Sequence, residues 1–231
     1  MFRTRVIKPE LLDHAEPEEA RRNLADLVRI NSSFGGHSTI RKLLGTVVKP
    51  AESFTLLDVG AASGDTARVI ARAFPNASVT CADYNAVNFS AAPRPKVLAN
   101  AFRLPFAERS FDFVLCSLFL HHFDNSEVVE LLRGMYRVAD RAILVCDLER
   151  HVLPYLFLPA TRPLFRWQRI TLHDGPISVR AAFRERELAE LAEKAGISRL
   201  RTRTYRPAFR ITMVGWKYGT NLDSGGLLGG R

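Results

Sequence analysis

One stretch constrains this chain more than any other: Leu56-Leu57-Asp58-Val59-Gly60-Ala61-Ala62-Ser63-Gly64-Asp65. The apolar run 54–59 closes on a glycine, the pattern of a strand covered on both faces. A loop of small residues follows, and a helical pattern begins at Asp65. Gly60 and Gly64 allow the backbone to pass close to a ligand, while Ala61, Ala62 and Ser63 keep the intervening side chains short. A dinucleotide fingerprint would space its glycines as G-x-G-x-x-G around a pyrophosphate. Here the spacing is D-x-G-x-x-x-G, with a carboxylate near the strand's end, which suits an amine-bearing or cationic ligand better.

The surrounding sequence alternates in the same style. Strands are expected at 54–59, 78–82, 96–99, 111–117 and 141–147, with helices at 65–74 and 126–138 and Ser126 as the N-cap of the latter. Helices 17–30 and 38–48 precede this block, and a helix at 184–195 is stopped by Gly196. Two last strands, 197–205 and 208–217, turn back on each other at Arg206-Pro207; Arg199, Arg201 and Arg203 mark the solvent face of the first. The expected fold is α/β: a Rossmann-like doubly wound sheet, mostly parallel, with a C-terminal antiparallel hairpin and helices on both faces. The expected divisions of this single domain are a helical cap (1–50), a ligand-binding core (51–150), a lid (151–183), a closing helix and strands (184–219) and a tail taken as flexible (220–231).

Composition decides which functions remain open. The chain has 231 residues and a net charge of +9, which raises nucleic acid or an anionic membrane as partners. The excess sits at the ends: residues 1–50 carry +3, 51–150 carry −2 and 151–231 carry +8. A nucleic-acid enzyme would place its basic face on the working core. The chain also lacks an N/D-P-P-Y/F motif after the fourth strand, reading Ser117-Leu118-Phe119-Leu120 instead, and has no Pro-Cys pair for cytosine C5 chemistry. Cys81, Cys116 and Cys146 lie in apolar runs without C-x-x-C spacing, and read as buried free thiols of a cytoplasmic protein. No run approaches the length of a membrane span.

Asp83 ends the second strand, where an acidic side chain can accept both hydroxyls of a ribose, or cap a helix over 84–91. With it, the block 56–148 resembles the class I S-adenosylmethionine-dependent methyltransferases, in particular the small-molecule group that includes quinone-biosynthesis C-methyltransferases. The resemblance is carried by Leu57–Gly64, Asp83, Asn100-Ala101-Phe102-Arg103-Leu104-Pro105-Phe106, and Ser110–Val114 leading to Leu120-His121-His122-Phe123. It implies S-adenosylmethionine as cofactor. Gly60, Ala61, Ser63 and Gly64 would line its methionine part, with Asp58 near the ammonium group. Asp83 would hold the ribose and Tyr84 would pack along the adenine. Asn100 stands where the family usually has Asp, and its side-chain oxygen would accept from the adenine amino group. Ala101 and Leu104 would touch the adenine edge, and Ser117 and Leu118 would lie beyond the fourth strand near the sulfonium.

Three histidines are candidate bases: His121, His122 and His173, the last followed by Asp174. Packed or capping roles compete for each. No metal is expected, because adjacent histidines do not readily turn both rings to one ion and no third ligand stands nearby in sequence. Segment 153–183 is apolar but punctuated by Arg162, Arg166 and Arg169. It reads as a lid over a small apolar acceptor, aromatic or polyketide/quinone-like, with a peripheral membrane contact as a further role. Arg29 or Asn31 from the N-terminal helices would meet the cofactor's carboxylate. The competing functions are a nucleic-acid methyltransferase and a non-catalytic cofactor-binding protein on the same fold; the oligomeric state stays open.

Overall fold

The computed structural model describes residues 2–217, so the expected tail at 220–231 lies outside the described residues. Seven strands form one sheet: β1 (Phe54–Val59), β2 (Ala77–Asp83), β3 (Lys96–Leu98), β4 (Phe111–Ser117), β5 (Ala139–Leu148), β6 (Leu200–Tyr205) and β7 (Arg210–Trp216). Their order is β3-β2-β1-β4-β5-β7-β6. The first five strands run parallel and β7 enters antiparallel between β5 and β6. This is the expected Rossmann-like sheet. The strand order reverses between β1 and β4, the place where open α/β sheets bind ligands beyond the strand ends.

Alternation along the strands sorts the core into two layers. Leu57, Val59, Val114, Cys116, Ile143 and Val145 face α4 (Asn125–Val138) and α7 (Glu185–Lys194). Phe54, Leu56, Phe113, Leu115 and Leu144 face α2 (Gly36–Leu44) and α3 (Asp65–Ala73). Helix α1 (Pro17–Ser33) precedes them, and Gly35, at φ 91°, turns the chain from α1 into α2. Arg201 and Arg203 of β6 point to solvent, as their alternation with threonines implies.

Three local expectations are corrected. Helix α4 is capped by Asp124, not Ser126: the Asp124 carboxylate accepts from the Ser126 and Glu127 amides, and Glu127 accepts in return from the Asp124 amide. That reciprocal box satisfies more orphan donors than one serine could. Residues 84–91 form turns rather than a helix, because the Asp83 carboxylate is drawn toward the glycine loop as well as toward Asn85. Helix α2 starts at Gly36 and ends at Leu44, earlier than the expected 38–48.

Between β5 and α7 stand α5 (Val152–Phe165) and α6 (Arg169–Ala181), crossing so closely that a Cβ on Gly175 would lie 2.1 Å from Leu158. Polar contacts fasten this pair to the N-terminus. Asp26 of α1 accepts from the Gln168 amide at 2.7 Å and the Thr171 hydroxyl at 2.9 Å, and Asp174 accepts from the amides of Leu11 and Leu12. Arg5 donates to the carbonyls of Ala181 and Phe123, and Arg150 to those of Phe2 and Arg3. The N-terminal segment is thereby held between α6 and the turn after β4.

Candidate functional site

A cavity of about 1190 Å³ opens over the carboxyl ends of β1, β2, β4 and β5, roofed by the N-terminal segment, α1, α5 and α6. A drug-sized ligand typically occupies roughly 300–1,000 Å³, so there is room for a nucleoside cofactor beside a second molecule.

At one end stands the glycine loop. The Gly60 and Ala61 amides donate to the Ala82 carbonyl, and the Ala62 amide donates to Asp83 at 2.7 Å. A Cβ on Gly60, which sits at φ 73°, would lie 2.4 Å from the Phe119 ring, and one on Gly64 2.3 Å from Pro93. Three non-glycine residues on the wall, Ala62 at φ 43°, Leu118 at φ 53° and Phe209 at φ 49°, are also left-handed, a strain that clusters at ligand sites. Asp83 faces the cavity with its other oxygen accepting from the Asn85 amide at 2.8 Å; each oxygen keeps a lone pair for a ribose hydroxyl. Asn100 also lines the wall, but its side-chain oxygen already accepts from the Phe102 amide at 2.9 Å. Tyr84 stands at the rim, 77% exposed and free to cover a flat ring.

Asp58 lies beneath this loop, 1% exposed, with one carboxylate oxygen that has no partner. Burial, and then the charges of Asp83 and Asp65, push its pKa up to about 8. An orphaned buried carboxyl beside a loop built for close backbone approach fits a ligand that brings a cation, so the residues present fit the amine-bearing nucleoside the sequence implies.

Gly60, Asp83, Tyr84, Asn100, Ala101 and Leu104 therefore come together on one wall, with His121 and His122 further along it. Asp58, Ala61, Ser63, Gly64 and Ser117 are not on the wall. Arg29 is also absent from it, donating to Asp26 and to the Phe165 carbonyl and lying over Trp167. His173 faces outward from α6, its Nδ1 2.8 Å from Asp174, and does not reach the cavity.

At the middle of the cavity is a polar group that the sequence discloses only in part. His121 is buried, and its Nδ1 is 2.6 Å from an Asp147 oxygen at the end of β5. Burial opposes the charged ring, but the charge and hydrogen bond of Asp147 outweigh it and raise the His121 pKa. Burial likewise opposes the Asp147 charge, and His121 with the Leu148 amide holds that carboxyl below its usual range. His122 stacks on His121 at 4.3 Å; burial, and then the neighbouring His121 charge, lower its pKa to about 3, leaving it neutral. Glu10 stands 3.8 Å from His122 Nδ1 and is held by the Ser178 hydroxyl. No spacing rule links a glutamate before α1 to a turn after β4; only the threading of the N-terminal segment brings them together. The expectation that no third metal-ligating group stands near the histidines is thus corrected: ligand atoms of Glu10, His121 and His122 lie within 4.8 Å of one another. The two rings are only 30° from parallel, so their in-plane lone pairs run side by side instead of converging on one ion.

The far end is apolar, lined by Leu153, Leu156, Phe157 and Leu158 of α5 and by Val179 of α6.

Residues 57–144 match the family model described as a methyltransferase domain. That match runs from β1 to β5 and takes in the glycine loop, Asp83 and the turn that carries His121 and His122. Solved structures share the fold at low identity. Human N-acetylserotonin methyltransferase in complex with S-adenosylmethionine superposes with a TM-score of 0.62 at 16% identity, over 86% of this chain and 56% of that one. A SAM-dependent methyltransferase from Aquifex aeolicus gives 0.55 at 15%, over 87% and 98%. An O-methyltransferase family protein from Burkholderia thailandensis gives 0.59 at 16%, over 83% and 57%. The chain therefore spans little more than half the length of two of these relatives. Among curated proteins, none matches the sequence.

Proposed function

We propose that this protein transfers a methyl group from S-adenosylmethionine to a small, largely apolar acceptor of aromatic or polyketide/quinone-like type. One observation carries the reading: a single cavity joins the loop at Gly60 and Asp83 to the apolar faces of α5 and α6, with Glu10, His121 and His122 between them. The bound cofactor supplies an electrophilic methyl on a sulfonium, so the protein's task is to hold a nucleophile in line and take its proton.

Each group has a role consistent with its surroundings. Asp83 accepts from the ribose, Tyr84 and Leu104 enclose the adenine, and Gly60 admits the amino-acid part. Neutral His122 accepts a hydrogen bond from an acceptor hydroxyl and holds it in line, and Glu10, 3.8 Å from that ring, is the carboxylate placed to take the proton. His121 donates to Asp147, fixing the ring on which His122 stacks. Leu153, Leu156 and Phe157 exclude water and select apolar acceptors. The buried, free state of Cys81, Cys116 and Cys146 supports a reducing, cytoplasmic setting.

The outer face of α5 supports a peripheral membrane contact. Val152 and Leu164 are exposed there and stand outside the cavity lining, and Asp174, the one acidic residue between 151 and 183, is buried. The core reading is tested by calorimetry with S-adenosylhomocysteine on wild type and Asp83→Ala, followed by transfer of labelled methyl to a panel of phenols, hydroxyquinones and polyketides. At least tenfold weaker binding in the variant, and label on one acceptor class, is expected. Undiminished binding removes Asp83 from the site, and label on no small molecule leaves only a binding role.

A further inference from the structure

Arg210 begins β7 and pairs in register with Leu148. Residues opposite one another in a sheet share a face, so its side chain leaves the face opposite Asp147. It is 7% exposed and lines the cavity among Leu148, Leu153, Pro154 and Phe209. Its Nη1 donates to the Ala208 carbonyl at 3.2 Å and its Nη2 to the Asn31 side-chain oxygen at 3.0 Å. Both partners are neutral. Among the described residues no carboxylate forms an ion pair with it. Asp147, the carboxylate whose charge it feels, is already engaged by His121.

A guanidinium taken out of water without a counter-ion is costly, and proteins keep one buried where an anion completes it. Two of its five N–H groups are used by the protein, which leaves the fork able to take a planar, bidentate acceptor. Asn31 holds the group in place from the end of α1. A purely structural tie between α1 and the β6–β7 turn would need only a neutral donor, which would avoid the cost of burying a charge.

We propose that Arg210, positioned by Asn31, is a carboxylate anchor inside the cavity. Two molecules can bring that carboxylate: the cofactor through its amino-acid end, or an acid-bearing acceptor. The first source rests on the function proposed above and the second does not, so the two can fail separately. The site then has two opposed poles, a buried carboxyl at Asp58 beneath the glycine loop and behind the cavity wall, and a buried guanidinium on the wall itself that seeks an anion.

The test compares matched pairs of probes on the full chain. One pair is S-adenosylhomocysteine and its decarboxylated analogue, which keeps the amine; the other is decanoate and decanol, whose tails suit the apolar end. Wild type is expected to prefer the acid in at least one pair by tenfold or more, the scale of a charge-assisted bidentate contact. Arg210→Gln should erase that preference while the carboxylate-free probe binds as before. A loss confined to the nucleosides assigns the cofactor's carboxylate; one confined to the aliphatic probes assigns the acceptor's. Arg210→Lys, which keeps the charge without the fork, should retain part of the preference and serves if the glutamine variant does not fold. Absence of any acid preference in wild type, or its survival in a folded Arg210→Gln, overturns the proposal.

Discussion

Replacing Asp58 with asparagine separates a stability effect from a binding effect at one buried atom. Its folded pKa of about 8 lies well above its ordinary value of 3.8. Between these limits the folded state holds a proton that the unfolded chain has released. Ionisation therefore penalises the fold increasingly as pH rises from about 4 to 8, and the penalty is constant above that. At roughly 1.36 kcal/mol per pH unit, the wild type loses about 4 kcal/mol from this group between pH 4 and pH 7. Asparagine has the same shape and no charge to bury, so its stability lacks this slope. Urea unfolding of both proteins at pH 5, 6, 7 and 8 should show the wild type falling relative to the variant by about 1 kcal/mol or more at each step. The comparison uses slopes, so any fixed cost of the asparagine side chain cancels. The same proton links to ligand binding: an ammonium near Asp58 favours its charged form, so S-adenosylhomocysteine affinity should rise with pH toward 8 in wild type and stay flat in Asp58→Asn. Parallel stability curves would refute the account of a buried, unpartnered carboxyl. A pH-independent wild-type affinity would remove Asp58 from the cofactor's surroundings.

Three more outcomes follow from other parts of the fold. Asp147→Asn breaks the buried pair with His121 and should cost about 3–5 kcal/mol near neutral pH, read by urea melts. Because Asp147 is depressed and His121 raised, that loss should shrink both in acid, as Asp147 protonates, and in alkali, as His121 deprotonates; a loss uniform across pH would contradict the pairing. Gly60→Ala sets a Cβ 2.4 Å from the Phe119 ring at φ 73° and should destabilise by about 2–4 kcal/mol; a thermal midpoint equal to wild type would contradict it. Val152→Asp with Leu164→Asp, two exposed positions on α5 outside the cavity lining, should weaken flotation with phosphatidylglycerol vesicles at least tenfold while leaving the melting curve unchanged; equal flotation removes the membrane contact.

The parts of the molecule legible in the sequence are those where one physical rule dominates locally. Strand β1 and its loop are such a case, since a run buried on both faces can only be apolar and a close backbone approach demands glycine at position 60. The strand alternation fixed the two layers of the core for the same reason. Local competition hid more. Both Asp124 and Ser126 can cap a helix, and the choice falls to Asp124 only because Glu127 stands three residues on to complete the box. Asp83 was readable as a cap or a ribose ligand, and neither periodicity nor spacing foretold that its carboxylate would also brace the Ala62 amide.

What was wholly illegible are the contacts made by threading. Glu10 and Arg210 carry no motif, and each looks in sequence like one more charge on a chain of net charge +9. Glu10 enters the cavity because Arg5, Arg150 and Asp174 hold the N-terminal segment under α6. Arg210 enters because β7 inserts antiparallel beside β5, which brings its first residue to the strand ends where ligands bind. The surplus of positive charge thus has two parts with different physics. Arg201 and Arg203 on β6 are solvated and cost nothing to keep, whereas Arg210 is buried among apolar side chains and is explained only by an anion it has yet to meet.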